Sequence, residues 1–374
     1  MPSTKIRPLE EKDFPELADL LNEGLEIDPE VWIRRFDMWW TSNPWMDESI
    51  PYGWVVENGN SGIVGFMGNI PVKYQINGKD GIAAAGTSLY VRPTVRGFTS
   101  LQLVRAFEKQ KNINLLLNTT ANETASVIFK KFGFTEHDVP YNNLEYWHIR
   151  DFGEIYNLYT RTSIKSDRIQ LLAKIPLIPI KLASPVVRWI KDKTTFKSPP
   201  DHYECSLCMD CDESFTELWE NNRKNNTTTI CRDVETLRWL YFSDAIAEKR
   251  NVIRCIDTRN DKLVGYFVVD VPCTETDIKI MHLKDAYIPL FEEGIVQSLV
   301  EFSINLAKSN NAAAMAFWAT DQKMDDVLKK RVMIKRKHKH AYLYNFINED
   351  DESELKEQKH EFIPSPIDPD RGIL

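Results

Sequence analysis

The sequence predicts an α+β fold of two tandem domains, each with a mixed, mostly antiparallel central sheet flanked by helices. Strand and helix periodicities follow one another as β, α, α, β, β, β, α, β, α, β over residues 1–150. Residues 201–348 repeat this order of elements, which indicates a duplicated fold. The length agrees, because 374 residues are enough for two ordinary domains, each with its own core.

The first elements are a short strand and two helices. Lys5–Pro8 has a strand pattern, and Asp13 stands as an N-cap before a helix that opens with Phe14 and Pro15. Asp28, followed by proline, repeats this start signal. Four aromatic residues of the second helix then fall on one stripe: Trp32, Phe36, Trp39 and Trp40. The stripe predicts a core face, and the alternative is the wall of a substrate site.

An antiparallel meander and two helix–strand pairs complete the first half. The runs Gly53–Glu57, Ile63–Ile76 and Gly81–Val91 have strand patterns, and the Asn-Gly pair at 77–78 predicts a hairpin turn. Helical patterns at 99–112 and 124–132 alternate with strand patterns at 114–118 and 143–149. Gly133 takes the position that ends the second of these helices.

The predicted domain limits follow from these patterns. The first domain covers residues 1–150, and residues 151–200 form a helical, proline-rich connection. The second domain covers residues 201–348, with its last strand at 340–347, and residues 349–374 are an acidic, proline-containing tail.

The composition argues against some classes of binding partner and some cellular compartments. The net charge of −8 argues against a nucleic-acid partner. Residues 1–25 lack the apolar run of a signal peptide, and no stretch reaches the roughly 20 apolar residues that span a bilayer. Leu171–Ile190 comes nearest; its prolines favour a packed linker, with peripheral membrane contact as the alternative. We expect a cytoplasmic monomer or homodimer whose six cysteines form no disulfide scaffold.

Three motifs follow one another along the first half of the sequence. They are Ile6-Arg7-Pro8 before Asp13; the strand and basic loop Leu89-Tyr90-Val91-Arg92-Pro93-Thr94-Val95-Arg96-Gly97; and Asn122-x-x-Ala125 before Phe129-Lys130-Lys131-Phe132-Gly133-Phe134. Together they resemble the GNAT (N-acetyltransferase-like) acyltransferase superfamily. The second half resembles it by element order and by Leu263-Val264-Gly265-Tyr266, without the acyl-CoA loop, which implies a degenerate second domain.

The resemblance implies acetyl-CoA or another acyl-CoA as the donor. Its pantetheine arm would lie between two strands that splay apart and would hydrogen-bond to their backbone like an added strand. Its pyrophosphate would meet the N–H groups at the start of the helix after Gly97, with Arg96 adding charge. The implied binding residues are Leu89, Tyr90, Val91, Arg96, Gly97, Phe98, Thr99, Ser100, Asn118, Asn122 and Phe129.

The sequence departs from the family pattern in two places. Thr99 and Leu101 replace small residues of the R-G-x-G-x-G/A loop, so we expect their side chains to crowd the pyrophosphate. Phe129 replaces the tyrosine that usually protonates the leaving thiolate, which phenylalanine cannot do. The remaining candidates for catalytic proton transfer are Tyr90, His137 and Tyr141.

A metal site is the sharpest competing hypothesis. Cys205, Cys208 and Cys211 have a spacing that can begin a zinc or iron–sulfur site. The same segment has a strand pattern without the glycine or proline of a tight turn, and a second C-x₂-C pair is missing from the sequence. We therefore expect no metal.

The resemblance implies an acyl-CoA-dependent N-acyltransferase that transfers an acetyl group to an amine of a small molecule or a sugar or polymer precursor. One alternative is a non-catalytic acyl-CoA-binding or interaction protein of the same fold. The other is a Fem-like aminoacyl transferase that uses aminoacyl-tRNA, against which the negative net charge argues.

Overall fold

The computed structural model describes residues 4–59, 62–137, 144–163, 199–243, 250–270, 278–330, 334–337, 341–356 and 361–365. The chain divides into two compact units. The first comprises Met1–Val139, Arg223–Ile246 and His340–Leu374, and the second comprises Pro140–Asn222 and Ala247–Lys339. Each unit has its own sheet, of nine and seven strands respectively, with flanking helices, which confirms the predicted α+β class.

The strands of the described residues are, in chain order, β1 (Thr4–Pro8), β2 (Gly53–Asn58), β3 (Gly62–Ile76), β4 (Lys79–Val91), β5 (Leu115–Ala121), β6 (Thr135–His137), β7 (Leu144–Ile149), β8 (Tyr203–Cys208), β9 (Thr227–Ile230), β10 (Arg250–Asp257), β11 (Lys262–Asp270), β12 (Ile280–Tyr287), β13 (Ala314–Trp318), β14 (Ile334–Lys337), β15 (Ala341–Phe346) and β16 (Glu361–Phe362).

The α-helices of the same residues are α1 (Phe14–Leu25), α2 (Pro29–Phe36), α3 (Phe98–Glu108), α4 (Glu123–Lys131), α5 (Phe152–Ser163), α6 (Glu213–Glu220), α7 (Val234–Phe242), α8 (Glu293–Ser309), α9 (Gln322–Lys330) and α10 (Glu349–Lys356). Helix α2 continues into a wider π-helical turn, Asp37–Thr41. None of these helices has both the length and the apolar character that a bilayer crossing requires. The stretch 171–190 lies outside the described residues.

Local sequence signals account for several of these boundaries. Asn77 and Gly78 both have positive φ, 49° and 79°, as a tight hairpin turn requires, and this confirms the turn between β3 and β4. The Asp28 carboxylate accepts from the Glu30 N–H at 2.7 Å and caps α2. Gly133, with φ 85°, follows α4 in the left-handed conformation expected at a helix end.

The first unit is built on the strand order β1-β2-β3-β4-β5-β15-β6, with β9 on β3 and β16 on β9. The pairs are antiparallel except β4–β5 and β9–β16. Strand β15 lies between β5 and β6, with Leu343 opposite Asn118 on one side and Glu136 on the other. A segment from the end of the chain therefore forms part of the first sheet.

The second unit is built on the order β14-β7-β13-β12-β11-β10-β8. Its parallel pair is β12–β13, and β7 pairs antiparallel with β13, with Trp147 opposite Ala316. The strand predicted to close the first domain thus lies in the second sheet, and β15, predicted to close the second domain, lies in the first. The limits at residues 150 and 348 consequently do not coincide with the units, because an alternating strand pattern does not say which sheet edge it joins.

The core of each unit lies against its sheet. In the first, α3 and α4 contribute Leu103, Phe107 and Phe129, all fully buried. The aromatic stripe of α2 and its π-helical turn is also buried, with Trp32, Phe36, Trp39 and Trp40 each at most 1% exposed, which confirms the core interpretation. In the second, α8 packs Val296, Leu299 and Val300 onto the sheet.

Candidate functional site

The central feature of the first unit is the separation of β4 from β5. The two strands pair in parallel over three positions only, from Ala83 opposite Leu115 to Ala85 opposite Leu117. Beyond them β4 continues to Val91 on its β3 partner, and β5 continues to Ala121 on its β15 partner. Among the described residues the facing edges of Gly86–Val91 and Asn118–Ala121 are unpaired with each other. We call this opening the strand gap.

A bulge in β4 explains the divergence. Opposite β3, the pair Phe66–Tyr90 is followed by the pair Gly68–Thr87, so Ser88 and Leu89 share one β3 residue. Ser88 has φ 51°, a left-handed value that is uncommon for a residue with a side chain. A bulge of this kind bends its strand and increases the local twist. It therefore turns the second half of β4 away from β5.

Asn118 lies at the vertex of the strand gap. Its Nδ2 donates to the Gly86 carbonyl at 3.4 Å and so bridges the first position where the backbones no longer pair. Its Oδ1 is buried and has no hydrogen-bond partner in the described part of the chain. Because a buried oxygen without a donor costs free energy, a ligand N–H in the strand gap would be favoured there.

A basic loop and a helix N-terminus follow directly from β4. Gly97 has φ 105° and stands at the N-cap of α3, and a β-carbon placed on it would meet nothing within 4 Å. Arg96 is exposed, and its Nε donates to the Val91 carbonyl at 3.1 Å, which holds the guanidinium beside the end of β4. The first N–H groups of α3 lack intrahelical acceptors, as at any helix start, so the loop presents donors and positive charge together.

The side chains of the first turn of α3 are distributed unevenly. Thr99 and Ser100 are only 6% and 8% exposed, whereas Phe98 is 73% exposed. The Thr99 side chain, expected to crowd a phosphate, is therefore turned into the unit. Leu101 is half-buried.

Tyr90 and Arg92 connect the strand gap to α1. A β-carbon on Gly24 would come within 2.2 Å of the Tyr90 ring, so the ring lies directly against this glycine. Arg92 donates to both carboxylate oxygens of Glu23, at 2.9 and 2.7 Å, and this hydrogen-bonded pairing lowers the pKa of Glu23. Arg96, not Arg92, is thus the loop arginine without an acidic partner in the described residues. Sequence patterns gave no signal for the Gly24 contact.

Asn122 and Phe129 have structural roles in α4. The Asn122 side-chain oxygen accepts from the Ala125 N–H at 2.9 Å and caps the helix. Phe129 is fully buried, with its ring centroid 4.9 Å from that of Phe134 and 6.4 Å from that of Phe107. The sequence grouped Phe129 with the binding residues, but the described structure places it in the core.

His137 lies away from the strand gap. It stands on β6, two strands beyond β5 in the sheet order, opposite Tyr342. Its ring centroid is 5.2 Å from that of Phe362 and 6.1 Å from that of Tyr344. The sheet therefore brings Tyr90 to the strand gap and His137 to an aromatic cluster. Tyr141 lies outside the described residues.

The corresponding region of the second unit differs in charge. Strands β12 and β13 also pair over three positions, ending at His282 opposite Ala316. Helix α8 begins after Glu292, which accepts from the Tyr203 hydroxyl at 2.5 Å, and its first residue Glu293 pairs with Lys330 at 2.9 Å. Two carboxylates at this helix start would repel a phosphate.

The side chains of Cys205, Cys208 and Cys211 do not come together at one point in the second unit. Cys205 and Cys208 both lie on β8, three residues apart, so their side chains leave opposite faces of the strand. Cys211 is buried beyond the strand end. Within the described ranges, no group of three or more histidine, cysteine, aspartate or glutamate side chains is placed to hold a metal ion.

Comparison with known proteins is informative at the level of structure. No family model matches the sequence, and no curated protein matches it. A probable N-acyltransferase from Enterococcus faecalis superimposes with a TM-score of 0.58 at 10% identity, covering 93% of this chain and 74% of that one. A GCN5-related N-acetyltransferase from Anabaena variabilis gives 0.58 at 12% identity, with the same coverages of 93% and 74%.

Two further solved structures share the arrangement. Saccharomyces cerevisiae N-myristoyltransferase with bound myristoyl-CoA gives a TM-score of 0.55 at 12% identity, covering 92% of this chain and 82% of that chain. A tandem GNAT protein from the clavulanic acid biosynthesis pathway gives 0.50 at 11% identity, covering 92% and 99%. Over more than nine-tenths of its length, therefore, this chain has the tandem GNAT fold.

Proposed function

We propose that the chain is an acyl-CoA-dependent N-acyltransferase whose donor site is the strand gap of the first unit. The observation that carries this proposal is the divergence of β4 and β5 next to a basic loop at a helix N-terminus. The structural neighbours named as N-acyltransferase and N-acetyltransferase, and the myristoyl-CoA complex, support a donor of this class.

The donor would bind as a strand substitute. The backbone N–H and C=O groups of Leu89–Val91 that face the strand gap would hydrogen-bond with the two amides of the pantetheine arm. The unpartnered Asn118 Oδ1 would accept from one ligand N–H at the vertex. The arm is thin and extended, as a ligand that takes the place of a strand must be.

The pyrophosphate would bind at the start of α3. The exposed Arg96 guanidinium and the first N–H groups of the helix supply the charge and the donors. Thr99 and Ser100 are only 6% and 8% exposed, so their side chains do not project into the solvent beside the loop. The open space beside Gly97 allows the close approach that the family's loop glycines provide.

The chemistry is attack of an amine nitrogen on the thioester carbonyl. The C–N bond forms, the C–S bond breaks, the nitrogen loses a proton and the sulfur leaves as a thiolate that takes one. Phe129 cannot supply that proton, but the Tyr90 hydroxyl belongs to a residue whose backbone lines the strand gap. We assign Tyr90 as the proton donor or relay. The acceptor is an amine of a small molecule or of a sugar or polymer precursor.

Calorimetric titration with acetyl-CoA tests the donor site. The wild type should bind saturably, and Arg96→Ala should weaken binding about tenfold, which corresponds to about 1.4 kcal/mol. Arg105→Ala is the matched control, since Arg105 is an exposed arginine in the last turn of the same helix. Absence of binding by the wild type, or equal weakening by both variants, would remove the proposal.

A non-catalytic acyl-CoA-binding protein is the second candidate. The complete burial of Phe129 among aromatic rings favours it, because a tyrosine restored there would have to bury its hydroxyl in an apolar core. Activity against a panel of amines distinguishes the two candidates. Saturable acetyl-CoA binding with no acetylated product and no hydrolysis would select the binding protein.

A further inference from the structure

Cys205 and Cys255 lie directly opposite each other in the second sheet. Strands β8 and β10 run antiparallel, and their register places Cys255 across from Cys205. Cys255 is fully buried in the core that α8 shares, and Cys205 is half-buried and packs against the same core. Because both side chains contact one core, they leave the same face of the sheet. The two thiols are therefore neighbours in space.

The other cysteines of the described residues lack this placement. Cys208 is also half-buried on β8, but it leaves the opposite face of the strand and lies across from Val252. Cys211 lies beyond the end of β8, and Cys231 belongs to the first unit. Among the residues that the structure describes, Cys205 is thus the one cysteine that faces a second cysteine across a strand pair.

The spacing of such a pair suits a disulfide bond. Directly opposite residues on antiparallel strands have Cα atoms about 4.5–5.5 Å apart, and a disulfide accepts about 4.4–6.8 Å. Their Cβ atoms are about 4.5–5.5 Å apart, against about 3.5–4.5 Å across a disulfide. The two strands must therefore approach each other slightly, and a bond formed in this way is reduced more easily than an unstrained one. A disulfide at this position would be reversible.

The surroundings of the two thiols set the order in which they react. Hydrogen bonding with the Cys205 thiol, followed by burial, raises the pKa of Cys255. Cys255 therefore keeps its proton inside the core, whereas the exposed part of Cys205 meets molecules in solution. Since the accessible thiol is the one that an oxidant reaches, Cys205 reacts first and Cys255 is placed to complete the bond.

We propose that Cys205 and Cys255 form a reversible disulfide in response to a small organic disulfide such as oxidised glutathione. The Cys205 thiolate attacks one sulfur of the reagent, forms a mixed disulfide and releases one thiol. Cys255 then loses its proton and attacks the Cys205 sulfur, which releases the second thiol. In balance, two protein thiols are oxidised to one disulfide while one small disulfide is reduced to two thiols. The proposal does not rest on the acyl-CoA site, which lies in the first unit.

The bond would fasten an edge of the second sheet. In the strand order of the described residues β8 is terminal and pairs with β10 alone. A covalent link between the two strands restricts the unfolded chain and holds the edge strand in place. We therefore expect the oxidised protein to unfold at a higher temperature than the reduced protein. Two small core side chains without a redox role would give no such difference.

Incubation of the full chain with oxidised glutathione, followed by peptide mass spectrometry without reduction, tests the proposal. A crosslink between Cys205 and Cys255 should form, and dithiothreitol should remove it. Cys255→Ala should retain glutathione on Cys205, because the second step is missing. The matched control Cys208→Ala, which changes a half-buried thiol of the same strand, should form the crosslink as the wild type does. The oxidised wild type should have a Tm several degrees above that of the reduced protein, and Cys255→Ala should show no such rise.

The crosslink in the wild type decides the outcome, so the test stands even if Cys255→Ala does not fold. Recovery of both cysteines as free thiols, or of Cys205 with glutathione attached and no crosslink, would overturn the proposal. A crosslink of either residue to a different cysteine, including Cys273 outside the described residues, would also overturn it. So would an oxidised Tm no higher than the reduced Tm.

Discussion

The contact between Gly24 and Tyr90 supports a prediction about the strand gap. A β-carbon at residue 24 would lie 2.2 Å from the Tyr90 ring, so the ring must move by about 1.3 Å to restore a normal carbon–carbon contact of about 3.5 Å. Overpacking of this kind costs about 1–3 kcal/mol. Replacing glycine near the end of α1 by alanine returns at most about 1 kcal/mol of helix propensity. The cost of the clash therefore exceeds the gain in helix propensity, and we expect Gly24→Ala to lower the free energy of unfolding by up to about 2 kcal/mol.

The same substitution should weaken the donor site, because Tyr90 contributes backbone to the strand gap. We expect acetyl-CoA affinity to fall several-fold in Gly24→Ala, measured by calorimetry, together with a Tm lowered by several degrees, measured by thermal unfolding. Gly59→Ala is the control, since a β-carbon there meets nothing within 4 Å. In the Tyr90→Ala background the Gly24→Ala change should become neutral or stabilising. If Gly24→Ala is harmless with Tyr90 intact, the ring does not rest on this glycine and the argument fails.

Four further outcomes are expected. Asn118→Ala should weaken acetyl-CoA binding about five- to twentyfold, by calorimetry, because it removes the acceptor at the vertex of the strand gap; unchanged affinity would contradict that role. Tyr90→Phe should lower kcat with little change in acetyl-CoA affinity, and a parallel loss of both would contradict a proton-transfer role. Burial acts to raise the pKa of Asp233, but the hydrogen bonds from Lys73 and Thr236 outweigh it and lower the pKa below 3.8. The stabilisation from Asp233 is therefore present above pH 4 and lost as the pH falls through the lowered value, so acid titration of Tm should show the wild type converging on Asp233→Asn below about pH 4. A fragment of residues 1–150 should show no cooperative thermal unfolding by circular dichroism, because it lacks β15; a sharp transition would refute this.

Local features of the fold could be predicted from the sequence because each depends on a few neighbouring residues. The Asn77-Gly78 turn required two positive φ angles, and the sequence supplies the two residue types that tolerate them. The aromatic stripe predicted burial correctly, because helical spacing places Trp32 and Phe36 on one face of α2, and the π-helical turn that follows buries Trp39 and Trp40 as well. Motif order also indicated the right pair of strands for the opening, since β4 and β5 diverge where expected.

Tertiary features were not predictable from the same patterns. The positive φ of Ser88, which bends β4, has no signature in a residue type that normally avoids that conformation. The position of the Tyr90 ring on Gly24 depends on how α1 packs on the sheet, which periodicity does not specify. His137 was a reasonable candidate from its place after a motif, but the pairing of β6 with β15 takes it two strands from the gap.

The exchange of closing strands is also the reason the strand gap can persist. A strand that leaves its neighbour loses hydrogen bonds along one edge, and β5 remains extended to Ala121 because β15 pairs with its other edge over that length. Strand β15 also buries Tyr342, Leu343, Tyr344 and Phe346, which at about 1.5–3 kcal/mol each amounts to a contribution on the order of 10 kcal/mol. That is comparable with the whole stability of a typical domain, about 5–15 kcal/mol. One wall of the candidate donor site therefore depends on residues more than two hundred positions further along the chain. The opening between β4 and β5 is thus a property of the complete discontinuous unit, and no contiguous piece of the first half can be expected to reproduce it.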